Sequence, residues 1–132
     1  MKIDPEIFRK SCLEMEYVGS RVTCSPPPTD TDRDVLCLVA SHSDFRKLAF
    51  IFGFVLCGSH VLDAALPLDS DDRFSSYLNG EINLIATEDP VFFGKFMAAT
   101  SVAKRLNLLD KNDRIALFQA VLYGNRSESW TK

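Results

Sequence analysis

Gly19-Ser20-Arg21, a proline-bearing loop, and then Thr29-Asp30-Thr31-Asp32-Arg33-Asp34-Val35-Leu36-Cys37-Leu38-Val39 form the stretch on which the reading of this chain turns. Its last five residues are an uninterrupted, largely branched apolar run, the composition of a buried central strand. Asp32 and Asp34, at alternate positions leading into that run, project from one side with Cα atoms ~7 Å apart, so both carboxylates can meet one or two metal ions. Hard oxygen donors of this kind suit magnesium, which takes one or two carboxylates and keeps its other positions for water or substrate phosphates. A glycine before a serine permits close backbone approach to a phosphate, with the Ser20 hydroxyl and neighbouring N–H groups as donors and Arg21 as a further positive charge. Pro26, Pro27 and Pro28 stiffen the intervening loop and remove three backbone donors, so it cannot pair as a central strand.

Outward from this stretch the chain reads as alternating elements. Asp4-Pro5-Glu6 is a helix-start signal, and a short helix to about Leu13 is predicted, followed by a strand over Met15 to Val18. Ser43 or Asp44 caps a helix from Phe45 to about Phe52, and Phe54 to Cys57 reads as another strand. Residues 60 to 76 are polar, with Asp69, Asp71 and Asp72 clustered, and read as an exposed loop with at most one turn of helix. From Leu78 to Thr87 the pattern is a strand with one polar end, Ile82, Leu84 and Ala86 facing one way and Glu81, Asn83 and Ile85 the other. Asp89-Pro90 starts a helix with the stripe Phe92, Phe96, Ala99, Ala103 and Leu106. Asp110 starts a last one with Ile115, Phe118 and Leu122 inward and Gly124 at its end. The expectation is a single α+β domain over residues 1–124, a small mixed β-sheet covered on one face by helices, with a loose tail over 125–132.

Composition narrows the function classes. The chain has 132 residues, 46% hydrophobic and 25% charged, which is the balance of one globular domain and not of a disordered or fibrous chain. A net charge of −3 provides no general field for nucleic acid. Cys12, Cys24, Cys37 and Cys57, with His42 and His60, have no zinc-ligand spacing, and the cysteines read as reduced. The N-terminus MKIDPEIFRK has no apolar signal core, and the longest apolar stretch, Leu48 to Cys57, is short of the ~20 residues a bilayer requires. No membrane role is expected, and the cytoplasm is the expected compartment.

Gly-Ser, a loop, and Asp-x-Asp running into an apolar strand resemble the signature of the nucleotidyltransferase superfamily, the polymerase-β-like fold, and the short chain is similar to its minimal and phage-encoded members. The resemblance covers residues 17 to 39 and, less closely, 78 to 87. It implies that Gly19 and Ser20, with Arg21, hold phosphate, that Asp32 and Asp34 bind metal, and that Asp30 lies outside the motif. It implies a third carboxylate from a neighbouring strand that binds metal and helps activate the attacking hydroxyl. Glu81 is the candidate; if the matching position is Asn83, that charge is missing, because an amide cannot act as a base near neutral pH.

The implied activity is magnesium-dependent transfer of a nucleoside monophosphate from ATP or another nucleoside triphosphate to a hydroxyl of a protein, RNA or small molecule. Two Mg2+ ions would serve, with the acceptor held by a partner protein or a second copy and the host cytoplasm as the site of action if the chain is phage-encoded. The alternative is a catalytically inactive nucleotide-binding or protein-interaction module that keeps the fold. A third reading makes the acids simple loop caps of a structural domain. Lys95, Lys104, Lys111 and Arg114 on the late helices read first as solvated faces, with one or two as candidate contacts to triphosphate or acceptor.

Overall fold

A computed structural model of the chain describes residues 3–28, 32–58 and 73–123. A 3₁₀ helix, Pro5–Ser11, starts where Asp4 accepts a hydrogen bond from the Glu6 N–H at 3.0 Å and Pro5 supplies a first position that needs no donor. Then follow β1 (Glu14–Val18), a single-turn helix α1 (Ser20–Thr23), β2 (Arg33–Leu38), α2 (His42–Ile51), β3 (Val55–Gly58), β4 (Phe74–Asn79), β5 (Ile82–Thr87), α3 (Pro90–Leu106) and α4 (Lys111–Tyr123). The five strands make one mixed sheet in the order β1-β2-β5-β4-β3. β2 and β5 run parallel, and the other neighbours are antiparallel.

The α+β class and the mixed sheet agree with the sequence reading; the helical cover does not stop at one face. Val35 and Cys37, with Leu84, Ala86, Met15 and Tyr77, pack against Phe8, Phe45, Ala49 and Phe54, from the 3₁₀ helix, α2 and the turn after it. On the other face Leu36, Ile85, Val18 and Phe74 pack against Phe92, Phe93, Phe96, Ala99 and Ala103 of α3 and Phe118 and Leu122 of α4. Val35, Leu36 and Cys37 are each fully buried, which is why β2 reads as a continuous apolar run with no polar alternation. The core phenylalanines pair mostly edge to face or tilted, with Phe8 5.4–5.6 Å from Phe45, Phe52 and Phe54 and Phe96 5.0 Å from Phe118, while Phe74 and Phe92 stack at 5.2 Å. Arg73 lies over the rings of Phe92 at 5.1 Å and Tyr123 at 5.0 Å, tying the start of β4 to both late helices.

Several boundaries differ from the sequence reading. Phe74 to Ser76, expected in a loop, belong to β4, and β4 and β5 form a hairpin around Gly80-Glu81 with Asn79 paired to Ile82. Gly80, at φ 60°, takes the first central position that a two-residue hairpin turn of this hand reserves for glycine. The signal was Asn79-Gly80; Leu78 to Thr87 looked like one strand because its apolar residues continue across the turn. Helix α2 begins at His42, earlier than expected, because the Ser41 hydroxyl accepts from the Asp44 N–H at 3.2 Å. Part of the loop after Gly19 is helical, as α1, and Leu106 at the end of the α3 stripe is 60% exposed. Asp30, His60, Asp69, Asp71, Asp72, Gly124 and the tail from Asn125 lie outside the described residues.

Phe8 is fully buried and is the residue through which the short 3₁₀ helix joins the core. Phe8→Ala is expected to lower unfolding stability by about 3–5 kcal/mol, measured as a reduced denaturant midpoint with an unchanged slope.

Candidate functional site

Pairing of β1 with β2 sets Val18, the last residue of β1, opposite Asp34. The next residue, Gly19, turns the chain at φ 84° into α1, and its carbonyl accepts from the Val22 and Thr23 N–H groups at 3.0 Å each. The Asp34 carboxylate lies directly on this turn: a Cβ at position 19 would sit 2.2 Å from Asp34 Oδ2. Glycine is required twice here, by its left-handed φ and by the space the carboxylate takes. The Gly-Ser turn and the second acid of the Asp-x-Asp pair, separated by fourteen residues of sequence, are therefore in contact.

β5 supplies the other wall. In the parallel register Arg33 pairs with Ile82 and Asp34 with Asn83, so Asn83 stands beside Asp34 and its Nδ2 donates to Asp34 Oδ1 at 3.2 Å. The Arg33 N–H donates to the Glu81 carbonyl at 2.6 Å, which carries the ladder to the end of the hairpin and sets Asp32, one residue before β2, level with Glu81. Asp32 is exposed at this mouth. The Glu81 carboxylate meets Arg21 Nη2 at 3.1 Å and Arg33 Nε at 3.7 Å. The Arg33 pair, with side chains 54% and 39% exposed, contributes about 0–1 kcal/mol after solvent screening, whereas the shorter Arg21 contact is part-buried.

Beneath the ends of β1 and β2 is an open cleft of about 370 Å³, walled by Tyr17, Val18, Val22, Pro27 and Pro28 and carrying Arg21, Arg33 and Asp34 as its charged groups. At its rim Tyr17 donates its hydroxyl to Glu6, which Arg9 also grips through Nε at 2.7 Å. The Arg9 hydrogen bond, with that of Tyr17 second, holds the Glu6 carboxyl down at about 2; burial and then the bond to Glu6 push Tyr17 up to about 12.

The far end of α1 is pinned to the late helices. Asn107, in the left-handed conformation that ends α3, accepts from the Ser25 N–H at 2.9 Å and donates to the Ser25 carbonyl at 3.2 Å. Arg114 donates to the carbonyls of Leu108 and Leu109 at 2.9 and 2.8 Å and to the buried Cys24 Sγ at 3.4 Å. Arg114, one of the late-helix bases considered for ligand contact, thus fixes the chain that leads into the proline loop.

Of the residues singled out from sequence, the fold joins Gly19 to Asp34 and Arg21 to Glu81. Asp32 is brought level with Glu81, and Asn83, not Glu81, is the register partner of Asp34. Alternation along β2 puts Arg33 on the face opposite Asp32 and Asp34, so the sequence carries no signal that joins it to Glu81. It reaches Glu81 because it is the first residue of the strand, where its side chain can fold around the end. Tyr17 was read only as a strand residue. Among the described residues no group of three or more His, Cys, Asp or Glu side chains is placed to hold a metal ion, and no helix is long and apolar enough to cross a membrane.

No family model and no curated protein matches the chain. Among solved structures it is similar to the crystal structure of conserved protein GrpB from Enterococcus faecalis, at 16% identity and a TM-score of 0.45, over 95% of this chain and 87% of that one. A likeness at that level transfers no residue role.

The contact between positions 19 and 34 predicts that Gly19→Ala costs about 1–3 kcal/mol from the left-handed φ alone and moves the Asp34 carboxylate off the turn. Denaturant unfolding reads the first effect; a shift of the Asp34 side-chain carboxyl signal in NMR reads the second.

Proposed function

We propose that this chain is a magnesium-dependent nucleotidyltransferase that takes a nucleoside triphosphate in the cleft beside Gly19 and Asp34 and moves the nucleoside monophosphate to an acceptor hydroxyl. What supports this reading is that the Asp34 carboxylate lies on the Gly19 turn, so the backbone proposed to hold phosphate and an acid proposed to hold the ion are neighbours. The donor set suits the ion: Asp32 and Asp34 offer two carboxylates from one edge of a strand, the number magnesium takes when substrate phosphates complete its shell. When bound, the ion neutralises charge on the α-phosphate and on the leaving oxygens. Ser20 and the backbone around it donate to phosphate oxygens, and Arg21 balances their charge. The acceptor oxygen bonds to the α-phosphorus as the bond to pyrophosphate breaks, and the acceptor proton leaves to a carboxylate or to water. The acceptor belongs to a protein, an RNA or a small molecule.

A second reading, nucleotide binding without efficient transfer, is favoured by Asn83. The position beside Asp34 carries an amide that hydrogen-bonds the acid but accepts no proton, and Glu81 is engaged by two arginines.

Asp32→Asn combined with Asp34→Asn is expected to abolish magnesium-dependent nucleotide binding in calorimetry while leaving the folded circular dichroism intact; unaltered binding removes both readings. Incubation with labelled nucleoside triphosphates, magnesium and host lysate separates them, since label transferred to an acceptor supports the first and tight binding without transfer the second. Asn83→Asp, which restores a carboxylate beside Asp34, is expected to raise the transfer rate roughly tenfold or more if proton removal limits it, with a smaller change in nucleotide affinity.

A further inference from the structure

Arg21 and Arg33 come from different elements, the turn of α1 and the first position of β2, and both reach the Glu81 carboxylate. Both also line the cleft. Two guanidinium groups converging on one carboxylate oxygen describe an anion site, because each presents a planar fork of donors suited to carboxylate or phosphate oxygens. Glu81 occupies that site from the tip of the β4–β5 hairpin, and its 3.7 Å pair with the exposed Arg33 is the weaker of the two and the first to exchange. We infer that Arg21 and Arg33 form a clamp for the polyphosphate tail of a nucleotide, and that Glu81 is an internal stand-in which the tail displaces.

This rests on the reading that the cleft takes a nucleotide, and extends it by giving the tail a second arginine and by making Glu81 a competitor of the ligand. A tripolyphosphate carries several negative charges where Glu81 carries one, so it wins the two arginines when it arrives. Glu81 is then released level with Asp32, at the mouth where Asp32 and Asp34 lie. Glu81 leaves the two arginines only when a tail is seated. Glu81 is on this account a positioning residue that acts through Arg21 and Arg33.

The test uses the full chain, inorganic tripolyphosphate and a chelator to remove divalent ions, with affinity read by calorimetry. Glu81→Gln is expected to bind tripolyphosphate about threefold to tenfold tighter than the unaltered chain, since it removes the charge that competes for both arginines. The gain is expected to vanish when Glu81→Gln is combined with Arg33→Ala, each variant being checked for an unaltered melting temperature. An affinity that Glu81→Gln leaves unchanged or weakens overturns the clamp. So does a gain of the same size without Arg33, which would mark a general field effect of one lost charge, and so does absence of tripolyphosphate binding in both the unaltered chain and Glu81→Gln. Because magnesium and transfer play no part in this measurement, a positive result with no label transferred retains the clamp and removes the transferase reading.

Discussion

Parallel pairing of β2 with β5 is the constraint on which the rest of the molecule depends. It brings together two stretches about fifty residues apart in sequence, sets Asp34 beside Asn83 and Arg33 beside Ile82, and leaves the polar starts of both strands at one end of the sheet. A parallel pair needs a crossover connection and is stable when both faces are covered. The chain meets the first requirement with one segment and the second with that segment and the helices after β5. Helix α2, β3 and β4 intervene between the two strands, α2 covers one face on the way, and α3 and α4 close the other. A one-residue slip between β2 and β5 would set Val35 and Cys37 against residues of the other face and carry Asp34 away from Asn83.

The two cores also explain why the mouth of the sheet keeps its shape. Alternate residues of β2 and β5 enter opposite aromatic clusters, so both strands are held from above and below. The irregular chain between β1 and the proline loop has little core of its own. It is fixed by Gly19 against Asp34 at one end, and by Asn107 and Arg114 against Ser25 and Cys24 at the other. On the proposed nucleotide reading, such contacts fix the loop before a ligand arrives, so less conformational freedom would be lost on binding.

At that mouth three acids and two arginines alternate around a small opening. Asp34 is positioned by Asn83, Glu81 is engaged by Arg21 and Arg33, and Asp32 stands exposed at the entrance. The named side chains leave one net negative charge at this opening. The amide at position 83 gives the acid beside it a hydrogen-bond donor where a carboxylate would give it a like charge.

The sequence by itself determined the pieces whose chemistry is local. The branched run Val35 to Val39 had to be a buried strand, Asp4-Pro5 and Asp89-Pro90 had to start helices, and the alternation from Glu81 to Ala86 assigned Ile82, Leu84 and Ala86 to one face and Ile85 to the other, as the cores show. These follow from periodicity and from backbone donors that need acceptors, which a short window contains. Only the tertiary structure decided that both faces carry helices, that the strand before Gly80 exists as a separate partner, that Asn83 and not Glu81 stands against Asp34, and that Arg33 turns toward Glu81. Each depends on register between distant strands or on a side chain bending around a strand end. Periodicity says which face a residue occupies, but nothing in a single strand says which residue of another will stand beside it.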